Sequence, residues 1–303
     1  MKKNHLYILL LTLIFTTLSA CKPQTGTDSL SQSYNLSTDY LITQYSDITG
    51  QHSSFYTIEN NEYFIIIDGG WEANVDTLRQ IIAEHNNTVN AWIITHPHKD
   101  HAGAFNAIMG DPENITVQSI YDNGFDYEFI KNAGEKYDDL QIMETYYSLT
   151  KDLDFVTHLH RGDVVDICGL TVNVFNSYDN IVLENIGGEL DYQNNASLML
   201  KITNSVDSIL ICADIKYDMD PYLNSTLTPE DLACTYVQCG HHGNWSLSED
   251  FYNKTGASTF LLDAPAAITE SADFPASTLK DYFEDSGKHV FDFTTTPNCF
   301  VLK

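Results

Sequence analysis

The chain has 303 residues, of which 42 are Asp or Glu and only 15 are Lys or Arg, so its formal charge at pH 7 is −27. With 43% hydrophobic and 12% aromatic residues, the composition excludes a disordered chain, a collagen, a coiled coil and a polytopic membrane protein. The scarcity of basic residues also disfavours nucleic acid as a partner, because non-specific binding of a polyanion depends on Lys and Arg.

The first twenty residues have the features of an export signal. Lys2 and Lys3 precede an apolar run, 6–18, that is too short for an ordinary membrane-spanning helix. The run ends in Leu-Ser-Ala-Cys, which resembles a bacterial lipobox and implies cleavage before a lipid-bearing Cys21. A plain signal peptide or an uncleaved anchor is the alternative. We predict an exported protein, anchored by lipid to the bacterial cell membrane or envelope, with a signal peptide over 1–20, a polar tether over 21–39 and a globular domain over 40–303.

Strands and helices are interspersed along the whole domain, without an internal repeat or a second linker. Apolar runs predict strands at Phe55–Ile58, Tyr63–Ile67, Ala91–Thr95, Thr116–Tyr121, Val164–Ile167, Leu170–Phe175, Ser197–Ile202, Ser208–Ala213, Cys234–Gln238, Thr259–Leu262, His289–Phe293 and Cys299–Leu302. Helical periodicity predicts helices at Val75–His85, Ala102–Met109, Tyr127–Leu149, Leu247–Thr255 and Ser277–Ser286. This pattern favours one layered α/β domain of roughly 260 residues.

The strongest chemical signal directly follows the strand predicted over 91–95. The sequence there is HPHKDH, an H-x-H-x-D-H pattern at the end of an apolar strand that opens into a helix. His96 and His98 are two apart in an extended segment, so both side chains point the same way and can hold one metal ion. Asp100 and His101 follow the turn and face a second ion. Imidazole and carboxylate ligands suit zinc, iron or manganese.

This motif resembles that of the metallo-β-lactamase superfamily of dinuclear metallohydrolases, and other landmarks of the superfamily follow in order. Residues 63–70 (YFIIIDGG) resemble an early strand, which implies a structural role for Asp68. Residues 208–214 (SILICAD) resemble a later strand whose final acid, Asp214, bridges the metals. Residues 237–244 (VQCGHHGN) resemble the His-His-Gly element of the branch that contains ComEC-type hydrolase domains and secreted phosphocholine esterases.

The resemblance implies a fold, a cofactor and a mechanism. The fold is a single-domain, four-layer αββα sandwich with the site at one edge. The cofactor is a pair of divalent metal ions, zinc foremost, with manganese or iron as alternatives, and a hydroxide between them attacks the substrate. The implied metal ligands are His96, His98, Asp100, His101, Asp214 and His241, and the implied catalytic residues are Asp100, Asp214 and His242.

The sequence leaves open which of the two adjacent histidines binds metal. His241 directly follows the predicted strand and Gly240, so we favour it as a ligand of the second ion. His242 would then contact the leaving group or the phosphate. The reverse assignment is the alternative.

Three departures from the family pattern concern the site. His158 and His160 come too early in the chain to give the first metal its third imidazole, so that metal is expected to be weakly held, with Asn195 near the vacant position. The Ser that usually follows His-His-Gly is Asn244 here, and a common His-Pro pair is Phe274-Pro275. The other isolated histidines are expected to be surface or packing residues: His52, His85 and His289.

We therefore predict a metal-dependent hydrolase that acts on phosphodiesters or other small esters at the cell envelope. A nuclease like the ComEC-type domain is one alternative, although the strongly negative charge argues against long polyanions as substrates. A non-catalytic lipoprotein that binds a metal or solute is another. An iron oxidoreductase with the same fold is disfavoured, because oxygen-reducing members usually have Glu where this chain has His98.

Overall fold

The computed structural model of the chain describes residues 34–133, 140–186 and 191–303. The predicted signal peptide, Cys21 and most of the predicted tether lie outside these ranges, as do residues 134–139 of the predicted helix over 127–149. Among the helices of the described ranges, none combines the length and the apolar character needed to cross a membrane.

Within the described residues, the first large sheet has seven strands. In spatial order the strands are β16 (Asn298–Leu302), β1 (Tyr40–Gln44), β2 (Phe55–Glu59), β3 (Phe64–Asp68), β5 (Ala91–Ile93), β7 (Ile120–Asp122) and β8 (Val156–His158). From β16 to β3 neighbouring strands are antiparallel, and from β3 to β8 they are parallel.

The second large sheet also has seven strands in the part of the chain that the structure describes. In spatial order they are β15 (His289–Phe293), β14 (Thr259–Pro265), β13 (Tyr236–Gln238), β12 (Ser208–Ile211), β11 (Met199–Thr203), β10 (Leu170–Asn176) and β9 (Val164–Ile167). Neighbouring strands from β15 to β12 are parallel, and those from β12 to β9 are antiparallel. A separate pair joins β4 (Thr88–Val89) to β6 (Thr116–Val117).

Helices and two 3-10 turns, at Glu72–Asn74 and Gly240–Gly243, connect the strands. The helices are α1 (Val75–Glu84), α2 (Lys99–Gly110), α3 (Tyr127–Ala133), α4 (Leu140–Thr150), α5 (Asn180–Asn185), α6 (Tyr192–Asn195), α7 (Asp220–Thr226), α8 (Pro229–Leu232), α9 (Glu249–Lys254), α10 (Ala266–Thr269) and α11 (Pro275–Asp285).

Three clusters of buried side chains define the layers. The first joins the facing sides of the two sheets, with Ile65 and Ile67 from β3 and Val172 and Val174 from β10. The second covers the outer side of the second sheet with α7, α9 and α11. The third covers the outer side of the first sheet with α1, α2 and α4. Because each sheet buries both faces, the layers are α, β, β and α, which confirms the predicted sandwich.

Two predicted elements divide in the structure. The predicted strand 116–121 separates into β6, which pairs with β4 outside the large sheets, and β7, which lies in the first sheet. The predicted helix 127–149 contains two named helices, α3 and α4. Apolar periodicity does not distinguish one element from two consecutive ones that bury the same face.

The parallel strands position the site. β3, β5, β12 and β13 all point their carboxyl ends toward the same edge of the sandwich, which is where ligands bind in open α/β sheets. The HPHKDH motif follows β5, Asp214 follows β12, and the His-His-Gly element follows β13. Residues that are far apart in the chain therefore meet at this edge.

Candidate metal centre

The HPHKDH motif begins as extended chain and ends in the first turn of α2. His98 is the extended residue before the helix, with φ −79° and ψ 162°, and its carbonyl accepts hydrogen bonds from the amides of His101 and Ala102. The helix packs closely against the 3-10 turn at Glu72, because a Cβ on Gly103 would lie 2.5 Å from the Glu72 nitrogen. This packing fixes the first turn of α2, which carries Asp100 and His101.

Four buried side chains converge at the strand ends. One ligand atom each from Asp100, His101, Asp214 and His242 lies within 4.8 Å of the others. His101 Nε2 is 3.1 Å from Asp214 Oδ1. His242 Nε2 is 3.2 Å from Asp100 Oδ2 and 3.3 Å from Asp214 Oδ2. We call these four residues the metal cluster.

The atoms of the metal cluster fit a divalent cation. His101 Nε2, both ring nitrogens of His242 and Asp214 Oδ1 are buried and form no hydrogen bond with the described residues, despite the short distances between them. Buried polar atoms normally find hydrogen-bond partners. Atoms that instead converge without hydrogen-bond geometry have the arrangement of ligands around a common ion, and two imidazoles with two carboxylates suit zinc, manganese or iron.

The electrostatics of the metal cluster also favour a cation. Burial alone would lower the pKa of His242, but the Asp214 and Asp100 carboxylates raise it to about 10. Burial alone would raise the pKa of Asp214, but His242 and His101 hold it well below its ordinary value. The carboxylates therefore remain charged and require positive charge beside them, which a divalent ion supplies.

Neighbouring side chains orient the histidines. Asp68, at the end of β3, places Oδ2 2.8 Å from His101 Nδ1, and its Oδ1 accepts a hydrogen bond from the Thr95 amide at 2.8 Å. His96 Nδ1 lies 3.1 Å from Ser197 Oγ. Binding one ring nitrogen in this way leaves Nε2 of each histidine available to a metal. Asp68 thus occupies the structural position that the sequence implied.

His96 and His98 lie beside the metal cluster rather than within it. The ring centroid of His96 is 4.1 Å from that of His101 and 4.6 Å from that of His98, and His96 Nε2 is 4.0 Å from Asp214 Oδ2. Burial and the nearby histidines hold the pKa of His96 well below its ordinary value, so its imidazole is neutral. A neutral imidazole is the form that binds metal.

Asn195, which the sequence placed near the vacant position of the first metal, is held by neighbouring backbone groups. The Asn195 side chain is engaged by the backbone, since its Nδ2 donates to the Asp191 carbonyl at 3.2 Å and its Oδ1 accepts from the Lys216 amide at 3.2 Å. Within the described ranges, the metal cluster is the one group of at least three convergent His, Cys, Asp or Glu ligands.

The structure places His242, not His241, in the metal cluster, which reverses the preference from the sequence. His241 Nδ1 instead donates to the Asn244 carbonyl at 2.6 Å. Both histidines have left-handed backbone, with φ 48° at His241 and 56° at His242, so the chain turns sharply after β13. Sequence position alone does not reveal such a turn, because non-glycine residues rarely adopt it.

His52 is a site residue that the sequence analysis treated as surface or packing. It lies in the loop before β2, and its Nε2 is 3.3 Å from Asp100 Oδ2. Its ring centroid is 4.7 Å from that of His242, and 41% of its side chain is exposed. Trp71 Nε1 donates to the His52 carbonyl at 2.7 Å and fixes this loop. No local motif marks His52, because its partners are distant in sequence.

Comparison with known proteins agrees with this fold and site. Residues 48–164 match the family model of the metallo-beta-lactamase superfamily. No curated protein matches the chain. The metallo-beta-lactamase fold protein YhfI from Bacillus subtilis is similar over 86% of this chain and 99% of its own, with 11% identity and a TM-score of 0.50.

Two other solved structures share the fold. Igni18, a metallo hydrolase from Ignicoccus hospitalis, is similar over 88% of this chain and 99% of its own, with 12% identity and a TM-score of 0.50. CmlA, a diiron beta-hydroxylase from Streptomyces venezuelae, is 11% identical over 88% of this chain with a TM-score of 0.52, and this chain spans 54% of CmlA. At these identities the likeness concerns the fold alone.

The matched motif segment, the four layers and the convergent ligands at the strand ends define a metallo-β-lactamase-fold protein with a candidate metal site. Residues 48–164 thus match the metallo-beta-lactamase superfamily, and the chain as a whole has the metallo-beta-lactamase fold.

Proposed function

We propose that this protein is a metal-dependent hydrolase that holds two divalent ions. The observation that carries the proposal is the convergence of buried imidazole and carboxylate atoms that lack hydrogen bonds. Asp100, His101 and His242 would hold one ion, and Asp214 would lie between the two. His96 and His98 would hold the other ion. Zinc is our first choice for both ions.

The side chains around the ions have separate tasks. Divalent ions in such a site supply an activated water at neutral pH and neutralise charge that develops on the substrate. Asp68 fixes the ring of His101, and Ser197 fixes that of His96. His52 is partly exposed beside Asp100, so its imidazole can reach an oxygen of a bound substrate.

We propose a small phosphodiester or other small ester as the substrate. The ions make the site locally positive, whereas the chain as a whole has a charge of −27. A small ester contacts little of the acidic surface, but a long nucleic acid is repelled at each phosphate that lies on it. Such fields change association rates by roughly ten- to a thousand-fold and weaken as salt is added.

Metal analysis of the purified protein, together with a screen of chromogenic phosphodiesters, esters and β-lactams, tests the proposed function. We expect bound metal and turnover of a small ester that stops on chelation and returns with zinc or manganese. Bound metal without turnover of any of these substrates would favour the non-catalytic metal-binding alternative.

Cleavage of DNA at several salt concentrations tests the proposed substrate. We expect small phosphodiesters to be hydrolysed in preference to DNA at low salt, and any DNA cleavage to improve as monovalent salt rises modestly. Efficient DNA degradation that falls as salt rises is the behaviour of a basic nuclease, and it would favour the ComEC-like alternative.

We also propose that lipid on Cys21 anchors the protein at the cell envelope. The support is the Leu-Ser-Ala-Cys ending of the N-terminal apolar run. Cys21→Ala should release the protein from membranes or leave it unprocessed. Lipid labelling of this variant at the wild-type level would exclude Cys21 as the modified residue.

A further inference from the structure

A pocket with a volume of about 210 Å³ opens outside the metal cluster, and none of the four cluster residues lines it. It lies between the end of α4 and the carboxyl ends of β7 and β8. These ends lie at the edge of the first sheet where the HPHKDH motif follows β5, which is the edge where ligands bind in open α/β sheets. Pockets for drug-sized ligands have roughly 300–1,000 Å³, so this one fits a smaller molecule.

A buried carboxylate fixes a histidine at the mouth of the pocket. Asp122 and His158 are the last residues of β7 and β8 and are paired in register, so their side chains lie on the same side of the sheet. The Asp122 side chain is only 3% exposed and accepts a hydrogen bond from His158 Nδ1. It also accepts from the Tyr146 hydroxyl at 2.8 Å and from the Gly124 amide at 3.0 Å. Three donors therefore satisfy the carboxylate, and the imidazole is held in one orientation.

The other ring nitrogen of His158 is available to a ligand. The side chain is 57% exposed, and Nε2 has no hydrogen-bond partner among the described residues. The loop at Gly124, where φ is +61°, packs so closely that a Cβ there would lie 3.0 Å from His158 Cβ. The hydrogen bond with Asp122 raises the pKa of His158 above its ordinary value, which favours the form in which Nε2 donates. His158 thus directs a positive charge outward.

The rest of the lining combines a second cation with apolar walls. Lys151 directly follows α4, and its ion pair with Asp152 spans 3.3 Å. The two side chains are 43% and 85% exposed, so the pair is weak and an anionic ligand can replace Asp152. The walls are aromatic and aliphatic, with Phe125, Tyr147, Leu153 and Val156. In a chain with a charge of −27, this pocket joins two cationic side chains to an apolar surface.

We propose that this pocket binds a small organic acid, a carboxylate on an apolar body. His158 and Lys151 hold the carboxylate, and the apolar walls contact the body. A purely inorganic anion would leave these walls without a partner. The proposal does not rest on the proposed function, because no residue of the metal cluster takes part.

Calorimetric titration of the full-length protein at pH 6 with benzoate and with benzamide tests the binding. The two probes have nearly the same shape, and only benzoate is charged. We expect benzoate to bind at least about fivefold more tightly, as one partly exposed ion pair implies. Equal affinities, or no binding of benzoate, would overturn the proposal. Inorganic phosphate that bound more tightly than benzoate in a manner dependent on His158 would overturn the assignment to an organic acid.

Substitutions that remove charge but keep polar side chains locate the site. His158→Gln retains a donor for Asp122, and Lys151→Gln changes an exposed side chain, so both variants should stay folded in circular dichroism. Each should weaken benzoate binding about three- to tenfold and change benzamide binding less than about twofold. His160→Gln, at an exposed histidine outside the pocket, is the matched control. Benzoate that bound at the metal centre would keep wild-type affinity in both pocket variants, which would refute the assignment.

The pH dependence of benzoate affinity separates a ligand-binding role of His158 from a structural one. The other titratable or charged groups that line the pocket are Asp122 from β7, Tyr146 and Tyr147 from α4, and Lys151. Affinity should fall as pH rises from 6 to 9, because His158 loses its proton, and it should fall less in His158→Gln. Identical profiles for the wild type and His158→Gln would show that His158 only supports the fold and would contradict the proposal.

Discussion

Two of the segments that supply side chains at the metal centre, the HPHKDH motif and residues 240–245, reach it by different backbone routes. The HPHKDH motif passes from extended chain into α2, both of which are ordinary conformations. The segment from Gly240 to Trp245 instead has left-handed backbone at His241, His242, Gly243 and Trp245. Spacing therefore indicates which way the first segment's side chains point, whereas the second segment's ligand depends on a turn that spacing does not reveal.

The largest expected effects come from Asp214 and from the first segment. Asp214→Ala should abolish turnover and remove most of the metal, because this carboxylate faces both His101 and His242. His96→Ala should also abolish turnover but retain the ion held by the metal cluster. Metal content and circular dichroism of the two variants test this difference, since both should stay folded. Two ions per chain and a normal rate in Asp214→Ala would contradict a bridging role.

The second segment offers a matched pair, His242→Ala and His241→Ala. Loss of a supporting residue around a metal ligand typically costs 10–100-fold in affinity or activity, so loss of His242 itself should cost at least about a hundredfold. His241→Ala removes a bond to the Asn244 carbonyl and should cost less than about tenfold. Turnover and metal content of both variants decide the assignment. A greater loss in His241→Ala would restore the preference based on sequence.

Gly243→Ala tests whether the left-handed turn is needed. A Cβ there would lie 2.7 Å from Leu262 Cδ2, and φ is +90°. We expect the free energy of unfolding to fall by about 2–4 kcal/mol, from backbone strain plus overpacking, with loss of metal. Gly256→Ala is the control, because φ is +60° and nothing lies within 4 Å of its Cβ position. Urea denaturation of Gly256→Ala should show a fall of only about 1–2 kcal/mol in the free energy of unfolding. Equal falls in the two variants would show that packing at Gly243 is unimportant.

Asp263, on the strand behind the second segment, should make stability depend on pH. Burial raises its pKa to about 6, against about 3.9 in an unfolded chain. Between about pH 4 and pH 6 the folded state therefore binds more protons than the unfolded chain. The stabilisation that protonated Asp263 gives the folded state is fully present below about pH 4 and is lost as pH rises through about 6. Asp263→Asn should remove this dependence and be more stable than wild type above pH 7 by about 3 kcal/mol. Urea denaturation of metal-free protein from pH 4 to pH 8 measures it, and parallel pH profiles would exclude Asp263 as the cause.

The sequence by itself determined the layered fold and the first segment of the site. Apolar runs interspersed with helical segments favour one layered α/β domain, and the family resemblance implied its two sheets. The strand that precedes HPHKDH sets the positions of His96 and His98 because side-chain direction in extended chain has a fixed period of two. Asp68 and Asp214 were predicted from the resemblance of residues 63–70 and 208–214 to two strands of the metallo-β-lactamase superfamily.

Only the tertiary structure decided which residues meet at the metal centre from elsewhere. His242 rather than His241 faces the other ligands because both residues adopt left-handed backbone, next to a glycine, Gly243, that packs closely against Leu262. His52 joins the site because the loop before β2 lies against the first turn of α2. Local sequence specifies each element, but contacts between distant elements select the backbone conformations that bring these side chains together.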